Sequence, residues 1–357
     1  MQSYHRRHQQ QEAAEYPSDR TRSQHDHPRN AGGRHRLRRF TSLLSAFLGL
    51  ALVTSLAACG SDNAQSSGTT LRVAYLSTAN YLTTLQYEDF AKNSLSPAHI
   101  TWTGPYSPSD AYAAVQSGNA DASSTGTGHF VDLIAEQQPW VAFALEYYDG
   151  DSQGIVAAPG SNITSLKGLY GKSIAIDSKG GTGDYIVNQA FAHAGLDVSK
   201  VNKVEMKQTD FASAFTSGKV DALASFDQNL AMAISTPGAK LLTDGSRYES
   251  LNVSIHMVSK RFAQEHPDVV KKLYQALKKE SDKAQTHPSI ITDAYRKFGA
   301  SDTLTKVVAG FDTPEIRPID AQGLAQLNKQ AEQYRQFGFI DHVPDLSAAV
   351  IDCSGKH

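Results

Sequence analysis

The sequence predicts an α/β protein built as two similar lobes, on three observations. From residue 71 onward, short runs rich in β-formers alternate with segments of helical spacing, the pattern of a layered α/β domain. A stretch, Ala111-Tyr-Ala-Ala-Val-Gln-Ser-Gly-Asn-Ala-Asp-Ala122, echoes one hundred residues later as Phe211-Ala-Ser-Ala-Phe-Thr-Ser-Gly-Lys-Val-Asp-Ala222. The chain has 357 residues, 40% of them hydrophobic, enough for two domains with buried cores.

Taken in order, Leu71-Arg-Val-Ala-Tyr-Leu76 reads as the first strand, followed by a polar loop from Ser77 to Asn80 and a helix over about 82–93. Ile100-Thr-Trp-Thr103 is a second strand, and after the turn between Pro105 and Pro108, Ser109 or Asp110 caps a helix through Gln116. Each copy of the echo predicts a helix closed by a left-handed glycine, Gly118 or Gly218, then a tight turn and a strand opening at Asp-Ala. The segment after each copy, Ser124-Thr-Gly-Thr-Gly-His129 or Ser225-Phe-Asp-Gln-Asn229, is thereby delivered to a strand end, where open α/β sheets bind ligands. Ser173-Ile-Ala-Ile176 opens the second lobe, and Lys179-Gly-Gly-Thr-Gly-Asp-Tyr185 turns into a helix over about 184–194. Asn252 to Ser259 is an apolar strand that returns the chain to the first lobe. Pro267 starts a helix carrying Val269, Val270, Leu273 and Leu277 at helical spacing, and Leu324, Leu327, Ala331 and Tyr334 mark another. The aromatics of this C-terminal third are expected to pack, not to bind.

Charge is distributed unevenly. Residues 1–58 hold nine Arg and no Lys against four acidic residues, a balance of +5, while the remainder is −7 within the overall −2. The near-neutral total and 9% aromatics argue against disorder and against a nucleic-acid binder. Arg34, Arg36, Arg38 and Arg39 lead into an uncharged run from Phe40 to Ala58 closed by Cys59-Gly60, the layout of a secretory signal. Leu56-Ala57-Ala58-Cys59 resembles the lipobox of bacterial lipoproteins, which implies lipidation of Cys59 and cleavage before it. The competing reading is an uncleaved membrane anchor. Residues 1–33 form a long leader or reflect a mis-set start, and 59–70 a flexible tether. With Cys59 lipidated, Cys353 is the only thiol left in the mature chain.

From Leu71 the chain resembles the substrate-binding lipoproteins of ABC importers, in the nitrate/sulfonate/taurine and thiamine-precursor branch. The carriers are Leu71-Arg-Val-Ala-Tyr75, Ser117-Gly-Asn-Ala-Asp121 leading into Thr125-Gly-Thr-Gly128, and Leu166-Lys-Gly168 before Gly171-Lys-Ser-Ile-Ala175. Lys179-Gly-Gly-Thr182, Phe226-Asp227, Gly238 to Gly245 and Ser259-Lys-Arg-Phe262 continue the series. The resemblance implies the two-lobed periplasmic-binding-protein (type II) fold: lobe I from 71–155 plus 253–352, lobe II from 156–252, with hinge crossings near Val156 and Val253. It implies a monomer outside the cell membrane that captures a small solute for an ABC permease, with no enzymatic activity, cofactor or nucleic-acid partner. Two enzymes on this fold, an aryl sulfinate desulfinase and a pyrimidine synthase, depend on cysteine motifs, and here no Cys lies between 59 and 353. A surface enzyme or a sensor on the same scaffold is the alternative.

The ligand is expected to contact Ser77, Thr78 and Asn80 after the first strand, then Thr125, Gly126, Thr127 and Gly128 in one Gly-rich turn. In the other lobe Gly180, Gly181 and Thr182 are expected to face it, and Phe226 and Asp227 complete the set. Helix N-termini and hydroxyls can hold an anion without a formal positive charge. Asp227 suits an amine or a ring N–H on the ligand and suits a hinge salt bridge equally well. Where many sulfonate binders have Trp-Asp-Pro-Tyr, this chain has Phe226-Asp227-Gln228-Asn229, and Asp184 adds negative charge near the anion end. These departures argue against sulfonate specificity, while the resemblance implies a sulfonate-, nitrate- or taurine-like anion or a heteroaromatic thiamine precursor.

Overall fold

The computed structural model describes residues 68–355. Chain contacts separate a segment ending at Asn63 from a compact unit beginning at Ala64, and every described residue belongs to the second. The expected leader and signal over 1–58, lipidated Cys59 and most of the 59–70 tether lie outside the described residues. No described helix is long and apolar enough to cross a membrane.

Eleven strands are described: β1 (Thr70–Leu76), β2 (His99–Tyr106), β3 (Ala122–Gly126), β4 (Trp140–Tyr147), β5 (Gln153–Ala157), β6 (Ser173–Ile176), β7 (Asn202–Glu205), β8 (Ala222–Phe226), β9 (Lys240–Asp244), β10 (Ser254–Ser259) and β11 (Glu315–Arg317). They form two sheets, ordered β11-β4-β10-β3-β1-β2 and β7-β6-β8-β5-β9. The chain crosses to the second sheet between Tyr147 and Gln153 and returns between Asp244 and Ser254. The second crossing includes Val253, the residue before β10. The first does not fall at Val156, which is fully buried inside β5 and paired with Leu223 on one side and Leu241 on the other.

Each sheet is covered on both faces. Leu273 and Leu277 of the Pro267–Ala284 helix pack on one face of the first sheet, and Phe130, Leu327 and Ala331 on the other. In the second, Ile186 and Phe191 cover one face and Phe215 and Leu230 the opposite one. Full burial of a Leu, Ile or Phe side chain stabilises by about 1.5–3 kcal/mol, so these contacts carry the fold.

The echoed segment is a repeated register device. Gly118 and Gly218 take φ of +74° and +70° and end the Pro108–Gln116 and Phe211–Thr216 helices. The Asp121 carboxylate accepts from Arg72 N–H in β1 at 3.0 Å, and the Asp221 carboxylate accepts from Ser173 N–H in β6 at 2.9 Å. Each Asp ties the strand it opens to the neighbouring parallel strand, so the two lobes are built alike.

Two local expectations are revised. The helix over 82–93 is broken into Tyr81–Thr84, a 3-10 turn Leu85–Tyr87, and Ala91–Ser94. A continuous helix turns about 240° net between Leu85 and Ala91 at 3.6 residues per turn, which would carry Ala91 off the buried face that Leu82 and Leu85 share; the break lets all three join one core. The next helix starts earlier than expected: Ser107, not Ser109 or Asp110, is the cap, its hydroxyl accepting from Asp110 N–H.

Glu280 is fully buried on the Pro267–Ala284 helix, and neither carboxylate oxygen has a hydrogen-bond partner among the described residues. Burial pushes its carboxyl well above the ordinary range, so it stays protonated in the fold while the unfolded chain ionises it. The fold therefore binds the extra proton, and stability falls as pH rises above the ordinary carboxyl value near 4.5. Glu280→Met is expected to stabilise by about 1–3 kcal/mol at pH 8 and by less at pH 5, read from urea melts at both pH values. An unchanged midpoint at pH 8 would show that Glu280 is not held neutral.

Candidate functional site

The carboxyl ends of β1, β3 and β4 share one edge of the first sheet with the start of β10, because β1 runs parallel to β3 and β10 antiparallel to β3 and β4. Beside that edge lie the first crossing and the start of the Asp227–Ser235 helix, whose Asp227 N–H donates to Ser152 O at 2.8 Å. A cavity of about 60 Å³ opens there. It has room for about four to six waters at the 10–15 Å³ that each requires. Asn80, Glu146, Tyr148, Ser152, Asp227 and Ser254 form its floor, and residues of the Ser289–Lys297 helix and of the segment from Val308 to Pro314 cover it.

Asn80 is held by its own capping role: Oδ1 accepts from Thr83 N–H at 3.0 Å, and Nδ2 donates to Thr78 Oγ1 at 3.2 Å. Glu146, 3% exposed, ends a strand that is otherwise a continuous apolar run. Its Oε2 accepts from Tyr81 N–H at 2.8 Å and lies 2.9 Å from His256 Nε2. His256 Nδ1 in turn lies 2.8 Å from Ser124 Oγ. Serine, histidine and carboxylate in series are the parts of a nucleophilic relay, but Ser124 is 2% exposed and does not line the cavity. The series fixes the Glu146 carboxylate, and its serine is closed off from the cavity.

Asp227 adopts φ of +46°, a left-handed conformation that Asp tolerates better than most residues. Enclosure first, then the charges of Glu146 and Asp151, raise its carboxyl to about 7, while the Ser152 hydroxyl works in the opposite sense. It is the lobe II counterpart of Thr127, one hundred residues earlier: Thr127 N–H donates to Val253 O at the other crossing, also at 2.8 Å.

Of the residues singled out in the sequence, Asn80 and Asp227 line the cavity; the others do not. Ser77 N–H extends the β1–β2 pairing by donating to Tyr106 O, and the Thr78 hydroxyl supports Asn80. The Thr125 hydroxyl is bonded to the Tyr112 hydroxyl, and Phe226 is the last residue of β8. Thr127 is fully buried and bonded to Gln330 Oε1 at 2.5 Å. Gly126 and Thr182 are brought close, since a Cβ on Gly126 would lie 3.0 Å from Thr182 Oγ1.

Four glycine amides of the two Gly-rich turns are taken by the protein's own acceptors. Gly128 N–H donates to Asn252 Oδ1 at 3.0 Å. Gly180 and Gly183 N–H groups donate to the carboxylates of Asp184 and Asp177, at 3.0 and 2.8 Å, and Gly181 N–H to Ser178 O. Both turns serve as internally capped helix starts. The space between them is filled by Asn252 and by Tyr334, which donates to Gly180 O and stacks on Tyr185 at 5.8 Å. Tyr81, with its hydroxyl on Pro314 O, is likewise core.

The residues missed by sequence are Glu146, Tyr148, Ser152 and Ser254 at the crossings, with Tyr295 and Phe311 from the C-terminal third. The last two pack in the core as expected and also border the cavity. A signal for Glu146 was present: a lone carboxylate inside Trp140-Val-Ala-Phe-Ala-Leu-Glu-Tyr147 has to be paired or functional once that strand is buried.

The family model NMT1/THI5 like matches residues 100–290. The chain belongs to the NMT1/THI5-like family. Among relatives of this family member, a Bacillus subtilis (strain 168) protein provisionally named aliphatic sulfonates-binding protein is 26% identical over 257 residues, 69% of this chain and 75% of the relative. The taurine-binding periplasmic protein of Escherichia coli (strain K12) is 26% identical over 222 residues, 61% of this chain and 67% of its own. The crystal structure of the periplasmic aliphatic sulphonate binding protein of Escherichia coli matches with a TM-score of 0.70 at 19% identity, over 82% of this chain and 96% of that one. The architecture is thus the two-lobed periplasmic-binding fold.

Proposed function

We propose that this NMT1/THI5-like protein is the exported solute-binding component of an ABC importer, which closes two lobes on a small molecule and passes it to a membrane permease. The observation that carries the reading is the cavity at the strand ends, lined from both lobes and floored by a chain crossing, where lobe closure would enclose a solute. The relatives named as binding proteins support it. The Arg-rich flank, apolar run and Leu56-Ala57-Ala58-Cys59 support export and anchoring through lipid on Cys59. A monomer suffices, because the cavity is complete within one chain.

Mass spectrometry of solute co-purified with the protein, followed by a thermal-shift panel of sulfonates, nitrate, taurine, pyrimidines and small amines, tests the reading. A bound small molecule, or a compound that raises the melting temperature and is released unchanged, is the expected result. Chemical turnover of a compound that binds would replace it with the surface-enzyme reading.

A further inference from the structure

The charge and lining of the same cavity speak to the class of solute, an inference that rests on reading the cavity as the solute site. We propose that it selects a small organic ammonium ion over a sulfonate or other anion, with Glu146, Asp227 and Asp312 as counter-charges and Tyr148, Tyr295 and Phe311 as an aromatic wall.

Three acidic side chains line the cavity, and no Lys, Arg or His does so among the described residues. Glu146 is 3% exposed, and its two bonds, from Tyr81 N–H and at His256, both fall on Oε2. Its Oε1 has no hydrogen-bond partner among the described residues, although the side chain lines the cavity. A carboxylate oxygen at a cavity wall with no donor from the protein is open to one from a solute.

Behind this floor, Asp151 and Asp312 are locked to each other's loops: Asp312 N–H donates to Asp151 Oδ2 at 2.8 Å, and Asp149 N–H to Asp312 Oδ2 at 3.1 Å. Asp151 Oδ1 is buried and unpartnered among the described residues. An anion placed here would meet the three lining carboxylates, with Asp151 close behind. A cation would meet their missing counter-charge, and an aromatic ring whose face it reaches adds about 0.5–2 kcal/mol of attraction.

The groups that face Asp227 are Glu146, Tyr148, Asp151 and Tyr295, none of them cationic. Its ionisation near pH 7 is opposed by neighbouring negative charge, and a bound cation reverses that opposition. Ammonium affinity should therefore rise between pH 6 and pH 8, as Asp227 loses its proton.

The test is isothermal titration of the purified full chain with ethylammonium and choline chlorides against sodium ethanesulfonate and taurine. At least one ammonium probe is expected to bind 100-fold or more tighter than ethanesulfonate, and to bind more tightly at pH 8 than at pH 6. Asp227→Asn, which the left-handed backbone accepts, is expected to weaken that probe at least tenfold without lowering the melting temperature of the unliganded protein. Asp312→Asn is the second variant should the first fail to fold. Ethanesulfonate binding tighter than both ammonium probes, or unchanged ammonium affinity in both variants, overturns the proposal and leaves the transport reading standing. Failure of all four probes combined with co-purification of an anion also overturns the proposal alone; their failure with no solute co-purified counts against both readings.

Discussion

Gly128→Ala is expected to destabilise the protein by about 3 kcal/mol or more, at the upper end of overpacking substitutions. A Cβ on Gly128 would sit 2.1 Å from Tyr334 Oη, 2.3 Å from its Cζ and 2.4 Å from its Cε2. Tyr334 cannot move aside cheaply: it is fully buried, its hydroxyl donates to Gly180 O, and its ring packs on Tyr185 and Phe339. Because the ring carbons as well as the hydroxyl are crowded, Tyr334→Phe should not rescue the variant. Tyr334→Ala should, so that the double variant is less destabilised than the two single losses summed, by about 1 kcal/mol or more in a denaturant double-mutant cycle. Gly118→Ala is the control: its φ of +74° is strained for Ala, but no atom lies within 4 Å of the added carbon, and a cost of about 1 kcal/mol is expected. Equal losses at the two glycines would remove the steric account.

Asn252→Ala is the second large effect, expected to cost about 2–3 kcal/mol in the same assay. Asn252 is 2% exposed at the second crossing. Its Oδ1 accepts from Gly128 N–H at 3.0 Å and from Gln330 Nε2 at 3.3 Å, and its Nδ2 reaches Thr182 Oγ1 at 3.5 Å. One amide thus caps the helix that starts at Thr127, holds the Ala321–Gln336 helix and touches the turn of the other lobe. Truncation leaves a buried N–H and a buried amide donor unpaired. Asn252→Asp keeps the acceptor and should be less destabilising than Asn252→Ala at pH 8; equal loss in both variants would show that the accepting oxygen does not carry the effect.

The reach of sequence reasoning follows the range of the interactions involved. The Gly118 and Gly218 turns were legible because a left-handed backbone selects glycine locally, and the strands after them because Asp121 and Asp221 recur at the same offset. Asn80 and Asp227 were legible as polar residues directly after strands. The Gly-rich turns misled for a definite reason: the sequence signals that backbone approaches something closely at Gly128, and cannot say that the something is a tyrosine two hundred residues on. Likewise nothing local reveals that Asp177 and Asp184 occupy amides that an anion would need.

The sequence by itself determined the α/β class, the twofold construction and the polar character of the strand ends, since periodicity, turn chemistry and an internal echo are properties of neighbouring residues. Only the tertiary structure decided where the site lies and what charge it carries. Glu146, Asp227 and Asp312, with Tyr295 and Phe311, stand far apart along the chain and become one cavity through two crossings and a C-terminal cover. Their mutual repulsion and loss of water exist only once they are folded together, and the proposed ammonium selectivity rests on that electrostatic field, not on the net charge of the chain.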